Sequence, residues 1–309
     1  VPTKPTHRAA AFIRYADYLT KKLNERGLAC FGLGDWCPVS VVKPPLELTD
    51  TLASMDNMEK ASFMLREIGL QEQSDFCRSI YEKMRENGRK YLIDFGTMTA
   101  KGNSQTGQAA AIYYGLFNDS EKQAAFARLL QIIHASDDKI DIGLIGTKVL
   151  FRVLADFGEA DLAYKMITRR DYPSYGHLVE QGLTALPEEF VKDGKFPSSL
   201  NHHFFGDYSA WFIQYIGGIN VNPHRDGEKN VDIQPRFIDS LDFAEAYYDT
   251  VCGKVSVHWE RSDGKIKLAV NTPDEIYGEI KLPFGYTFED SRLSYKKLET
   301  GNFTVINLF

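Results

Sequence analysis

"IGLIGTKVLFRVLADFGEADLAYKMI", residues 142–167, contains two apolar-periodic runs, Thr147–Phe157 and Ala160–Arg169, joined by the short "GEAD". Apolar residues recurring at helical spacing over such lengths predict helices, and so short a connection predicts an antiparallel helical hairpin.

The same texture extends outward. Phe12, Ala16, Leu19 and Leu23 recur at helical spacing, and Gly27 follows as a C-cap signal. Thr49 to Ile68 predicts a second helix, with Met55, Met58 and Leu65 among its apolar positions. Ser74 is a candidate cap for a third, ending at Asn87-Gly88. A small-residue helix is expected over 104–117, another from Asp119 through His134, and a last long one over His203–Ile216. Residues 5–217 therefore read as stacked antiparallel helical hairpins, without a strong internal repeat.

After Gly217-Gly218 the period changes to two. "KVSVHWERSDGKIKLAV" alternates Val255, Val257 and Trp259, turns at Ser262-Asp263-Gly264, then alternates Ile266, Leu268 and Val270. That predicts a β-hairpin. "EIYGEIKLPF" and "NFTVINLF" continue the pattern, so a small antiparallel β-sandwich is expected over roughly 229–309. The predicted division is a helical domain over 1–218 and a β-sandwich domain over 219–309.

Composition narrows the function. The net charge is −6 and the pI about 5.7, so no basic field exists to bind nucleic acid. No apolar run approaches the ~18–20 residues of a membrane span. Cys30, Cys37, Cys77 and Cys252 match no zinc or redox spacing. A Cys30–Cys37 disulfide is one option; buried free thiols are the plainer reading. The compartment stays open, with a periplasmic or extracellular setting favoured.

Metal and nucleophile chemistry find no support. His202 and His203 are adjacent, so on a helix they diverge by about 100° and cannot chelate together. No metalloprotease, nucleophile-elbow or phosphate-loop motif is present. No cofactor or metal is expected. What remains suits a carbohydrate: Trp36 beside Asp35, Tyr172 and Tyr175, and Phe204, Phe205, Tyr208 and Trp211 put aromatic rings next to polar groups. A sugar presents an apolar C–H face and a ring of hydroxyls, which such pairs satisfy. Trp211, one turn into the last expected helix, reads as core. Trp36, in a Gly-rich loop, is open between core and pocket.

Several blocks occur in one order: "FGLGDWCP" (31–38), "LTDT" (48–51), "SQTGQA" (104–109), 142–167, "YPSYGHLVEQGLTAL" (172–186) and "LNHHFFGDYSAW" (200–211). Together they resemble the C-terminal two-fifths or so of bacterial α-L-rhamnosidases, glycoside hydrolase family 78. The resemblance implies a mainly α fold, an (α/α)6 barrel incomplete in this chain, followed by the β-sandwich. About eight long helices are expected where the barrel needs twelve. It also implies an inverting hydrolase that releases terminal L-rhamnose from a carbohydrate substrate. In "GLTALPEEF" (182–190), Glu188 matches the family's general base, His202 its sugar-binding histidine, and Trp36 the tryptophan lining the rhamnose pocket. Asp35 is expected to accept sugar hydroxyls or to orient its loop.

Two departures stand out. The tryptophans flanking the base are Pro187 and Phe190, and the following arginine is Glu189. The block carrying the family's general acid is absent, so the acid is expected upstream, in the missing N-terminal part of the barrel. Glu188 and Glu189, as sequence neighbours, cannot form the acid–base pair, which needs ~6.5–9.5 Å between carboxyls. The alternatives are a non-hydrolytic sugar-binding scaffold and a relative acting on a different sugar.

Overall fold

The computed structural model describes residues 4–40, 42–192, 194–222 and 229–309, with side chains from residue 9. It divides into two compact units, one of residues 1–153 and 166–205, the other of 154–165 and 206–309.

In the first unit, α1 (Lys4–Lys22), α2 (Leu46–Glu67) and α3 (Gln71–Leu92) are followed by the short antiparallel strands β1 (Ile93–Asp94) and β2 (Thr99–Ala100). Then come α4 (Gln105–Tyr113), α5 (Asp119–His134), α6 (Leu144–Asp156), α7 (Ala160–Thr168) and α8 (Tyr175–Glu180), with α6 and α7 crossing the unit boundary. Inner and outer helices alternate. In α2 the whole stretch Leu48–Leu52 is buried, and in α4 every residue from Gln105 to Ile112 is. The helices after them bury one stripe: Cys77, Ile80, Tyr81 and Met84 in α3, and Ala125, Phe126, Leu129 and Ile133 in α5. An apolar stripe on one face is what an outer helix needs to dock on an inner one. Among the described residues no closed barrel is seen.

Several expected boundaries shift for physical reasons. Ser74 does not cap a helix. α3 begins earlier, and Ser74 is buried inside it, donating to the Ser62 carbonyl of α2 at 2.8 Å. Gly88 does not end α3; a Cβ there would lie 2.9 Å from Leu116 Cδ2, so the glycine makes room for that leucine. Gly27 lies five residues past the end of α1, at φ +69° in a turn closed by the Asn24 side chain on the Leu28 N–H. The last long helix expected over His203–Ile216 is only α9 (Tyr208–Trp211) plus a π-helical turn, Phe212–Ile216. Residues 202–205 are held instead in a loop, where the His202 N–H donates to the Leu186 carbonyl at 2.7 Å.

The second unit carries β3 (Ile219–Val221), β4 (Val231–Ile233), β5 (Phe243–Thr250), β6 (Gly253–Ser262), β7 (Lys265–Asn271), β8 (Glu279–Lys281), β9 (Tyr286–Phe288), β10 (Tyr295–Lys297) and β11 (Gly301–Asn307). One sheet runs β5-β6-β7-β11-β9, the other β10-β8-β4-β3. The β6–β7 hairpin is as expected: Ser262 pairs with Lys265, and Asp263 and Gly264 both take positive φ, the left-handed pair a two-residue type I′ loop requires. Val255, Val257 and Trp259 are buried on the inner face with Ile266, Leu268 and Val270. One pairing departs from the antiparallel expectation: β4 and β8 run parallel through Ile233 and Ile280. The buried Trp259 indole donates to the Ile216 carbonyl at 2.9 Å, tying the sheet to the π-helical turn.

Candidate active site

The "FGLGDWCP" loop has no regular structure of its own; distant side chains hold it. The Phe31 and Gly32 N–H groups donate to Asp50 Oδ2 at 2.8 and 2.6 Å. Asp35 is 3% exposed. Its Oδ2 accepts from Thr106 Oγ1 at 2.6 Å and from the Gly143 N–H at 2.8 Å. Its Oδ1 accepts from the Ile145 and Gly146 N–H groups at 2.8 and 3.2 Å. Asp35 therefore caps the N-terminus of α6 from more than a hundred residues away, where orphan donors and the helix dipole favour an anion. Burial pushes its carboxyl pKa up, against the pull of those four donors. Both oxygens are occupied, so of its two expected roles the geometry fits loop orientation.

The adjacent Trp36 carbonyl accepts from the Leu144 N–H at 2.9 Å. A Cβ on Gly143 would lie 2.4 Å from that carbonyl, and one on Gly146 2.3 Å from Thr106 Oγ1. Both glycines are thus needed for the close approach of loop to helix. The backbone of Trp36 is pinned while its indole is 43% exposed. Trp36 is not core; Trp211, 0% exposed, is.

A second loop carries Glu188 and His202. Phe190 is buried against Tyr175 and Phe205, with ring centroids 5.3 and 5.0 Å away. Tyr175 Oη donates to the Phe205 carbonyl, closing the cluster. Pro187 and Phe190 are buried, Glu188 is half-buried and Glu189 is exposed. Phe190, which stands where the family has a tryptophan, thus anchors the loop in this aromatic cluster. The Glu188 N–H donates to the Ser199 carbonyl at 3.0 Å, and Ser199 Oγ lies 3.1 Å from His202 Nδ1. Ser199 bridges the two predicted residues, which leaves Nε2 as the ring nitrogen available to a ligand. His202 and His203 stack at 6.3 Å in this loop, not on a helix.

The two loops share one electrostatic neighbourhood. The Cys37 thiol, next to Trp36, is pushed up to about 11, first by burial, then by the charges of Glu189 and Glu188, with Lys43 opposing. Tyr172 is raised by burial and then by Glu189 and Asp141. The charges of Glu188 and Glu189 thus reach Cys37, and that of Glu189 also reaches Tyr172, so the two loops lie within electrostatic range of each other in the first unit. Asp141 accepts from the Ser40 N–H and hydroxyl at 3.0 and 2.9 Å, fixing the far side of the Trp36 loop. All four cysteines are free thiols; of these only Cys77 is buried, Cys30 is exposed, and the other two are intermediate.

Residues 8–216 match the bacterial alpha-L-rhamnosidase 6 hairpin glycosidase domain, and residues 218–290 match the bacterial alpha-L-rhamnosidase C-terminal domain. The chain belongs to the bacterial alpha-L-rhamnosidase family. An alpha-L-rhamnosidase of Streptomyces avermitilis is 28% identical over 260 residues, covering 82% of this chain and 25% of its own. One from Alteromonas sp. is 28% identical over 229 residues, covering 72% of this chain and 25% of its own. The chain thus spans about a quarter of the length of these curated relatives. Among solved structures, the Streptomyces avermitilis alpha-L-rhamnosidase complexed with L-rhamnose superimposes with a TM-score of 0.87 at 24% identity, covering 98% of this chain and 31% of that one. The alpha-L-rhamnosidase from Dictyoglumus thermophilum gives a TM-score of 0.83 at 24% identity, covering 97% and 36%. These likenesses fix the fold.

Within the family frame, the motif blocks acquire a physical meaning. "LTDT" supplies Asp50, "SQTGQA" supplies Thr106, and "IGLIGT" supplies the donors to Asp35; all three hold the Trp36 loop. Sequence reasoning missed Asp50, Thr106 and Ser199 as supports. Nothing in the spacing of Asp50 or Thr106 points to the loop, because each acts across a tertiary contact.

Proposed function

We propose that this chain carries the base side of an inverting α-L-rhamnosidase site. Glu188 takes the proton of a water that attacks the anomeric carbon. The acid that protonates the leaving oxygen belongs to a segment outside these 309 residues. What supports this reading is the nearness of the two loops, close enough for the Glu188 and Glu189 charges to act on the Cys37 thiol. In this reading the exposed Trp36 indole stacks on the apolar face of rhamnose. His202, with Nδ1 on Ser199, offers Nε2 to a sugar hydroxyl. That bond tightens as the ring flattens toward the oxocarbenium-like state.

The test is Glu188→Gln in the polypeptide as the cell makes it, assayed on an aryl α-L-rhamnoside. Turnover is expected to fall ~10²–10⁴-fold, the usual cost of losing a general base, with rhamnose affinity nearly unchanged. An inactive Glu189→Gln beside an active Glu188→Gln overturns the assignment. A second reading, sugar binding without hydrolysis, is favoured by one feature: Glu189 adds a like charge in the same neighbourhood. Calorimetry with L-rhamnose that gives binding without turnover supports it.

A further inference from the structure

On the outer face of the five-stranded sheet, successive strands place side chains in cross-strand rows. Glu245, His258, Ala269 and Asn302 form one row. Tyr247, Ser256 and Asn271 form the next. Strands are about 4.8 Å apart and rows about 7 Å apart. The small side chains of Ala269 and Ser256 leave a depression at the centre of this face, a groove of about 260 Å³. Around it stand a carboxylate, an imidazole and two primary amides. Among the described residues, Glu245, Ser256, Asn271 and Asn302 spend none of their side-chain groups on an internal hydrogen bond.

Aromatic surface borders the same groove. Phe243, just outside the lining, is 61% exposed and stacks on the groove-lining His258 at 6.1 Å with ring planes 26° apart, offering an apolar ring at the edge as a platform. Among the described residues, no lysine or arginine lines the groove. The set is planar acceptors and donors beside an apolar ring, without a cation to neutralise an anionic ligand. It suits a neutral polyhydroxylated ring: amide and carboxylate groups bridge adjacent hydroxyls, while the C–H face lies on the platform.

We propose that this groove is a second carbohydrate site, separate from the Glu188 region, that holds a neutral sugar residue of a polysaccharide. Only the choice of rhamnose as the sugar rests on the function proposed above. A surface site of this kind keeps the polymer near the protein between events at the Glu188 region, by raising the effective concentration of the second contact.

Affinity electrophoresis in gels containing a neutral rhamnan tests it, on the native polypeptide and on Trp36→Ala and Glu245→Ala/His258→Ala variants. The wild type and Trp36→Ala are expected to be retarded. The double variant is expected to bind at least about tenfold more weakly, with a melting temperature little changed, because Glu245 is exposed and half-exposed His258 gives up only its surface contacts with Phe243 and Glu260. Its turnover of an aryl rhamnoside should also be unchanged, which separates this proposal from the assignment of Glu188. Retardation lost in Trp36→Ala and kept in the double variant overturns it. So does absence of retardation in the wild type, or retardation by polygalacturonate in place of rhamnan.

Discussion

At Trp36 the backbone and the side chain have different tasks. The carbonyl is tied to Leu144 and the preceding carboxylate to the start of α6, so the indole is presented from a rigid base. Trp36→Ala is expected to cost ~1–3 kcal/mol in rhamnose binding, one aromatic anchor, and to move the melting temperature little. Trp36→Phe should retain part of the affinity. A core tryptophan would instead cost ~3–5 kcal/mol of stability, which thermal unfolding would reveal. Asp35→Ala predicts the reverse pattern: three backbone N–H groups and the Thr106 hydroxyl lose their acceptor. At ~1–3 kcal/mol for each unsatisfied group, denaturant unfolding should show a loss of at least ~3 kcal/mol. At Cys37, a thiol pKa of about 11 predicts slow alkylation at neutral pH that accelerates only in strong alkali. Glu188→Gln and Glu189→Gln should each shift that profile to lower pH, because each removes a negative charge that opposes the thiolate. An unmoved profile would separate the two loops.

Between elements, single polar contacts and missing Cβ atoms decide the packing. Gly146→Ala should gain up to ~1 kcal/mol of helix propensity. It nonetheless should destabilise, since the new Cβ would lie 2.3 Å from Thr106 Oγ1 and 2.5 Å from Ile142 Cβ. A raised melting temperature would contradict the close approach. The α3–α5 contact predicts an acid dependence. Arg89 grips Glu121 through two bonds of 2.8 and 2.9 Å, and Glu121 also accepts from the Asn118 N–H at 2.7 Å. These bonds hold its pKa at about 2, down from 4.5, with the Arg89 bond the largest cause. A depressed carboxylate stabilises the fold above its unfolded pKa, and that contribution is lost as pH falls through the folded one. Denaturation free energy measured between pH 4.5 and 2 should therefore drop more steeply in the wild type than in Glu121→Gln.

At the scale of the molecule, the second unit does not consist of strands alone. Asp156 accepts from Tyr215 Oη at 2.9 Å, and Asp161 accepts from the Asp239 N–H at 2.7 Å. With Trp259 tied to Ile216, the sheets rest on residues 154–165 and 206–218. The excised segment 219–309 is expected to lack a cooperative thermal transition, while the whole chain shows one. A sharp calorimetric peak for the segment would refute this.

What was legible in the sequence was local. The periodicity of 142–167 specified two helices joined by a short turn, and Asp263-Gly264 between alternating strands specified the β6–β7 turn. Period and turn chemistry act within a few residues of the chain. The expected helix over 203–216 forms only from Tyr208 onward; the chain just before it is tied to a segment distant in sequence, the His202 N–H donating to the Leu186 carbonyl, a contact no local period announces. Ser74 looked like a cap because a cap and a buried interhelical donor use the same hydroxyl; only the position of Ser62 distinguishes them. The candidate residues Asp35, Trp36, Glu188 and His202 were visible through resemblance of motif. Their division of labour was not. Asp35 turned out to be a buried helix cap and Trp36 an exposed ring because burial and hydrogen-bond partners are set by residues about 70 to 110 positions away, Thr106 and Gly143–Gly146, that meet the loop only in the folded chain.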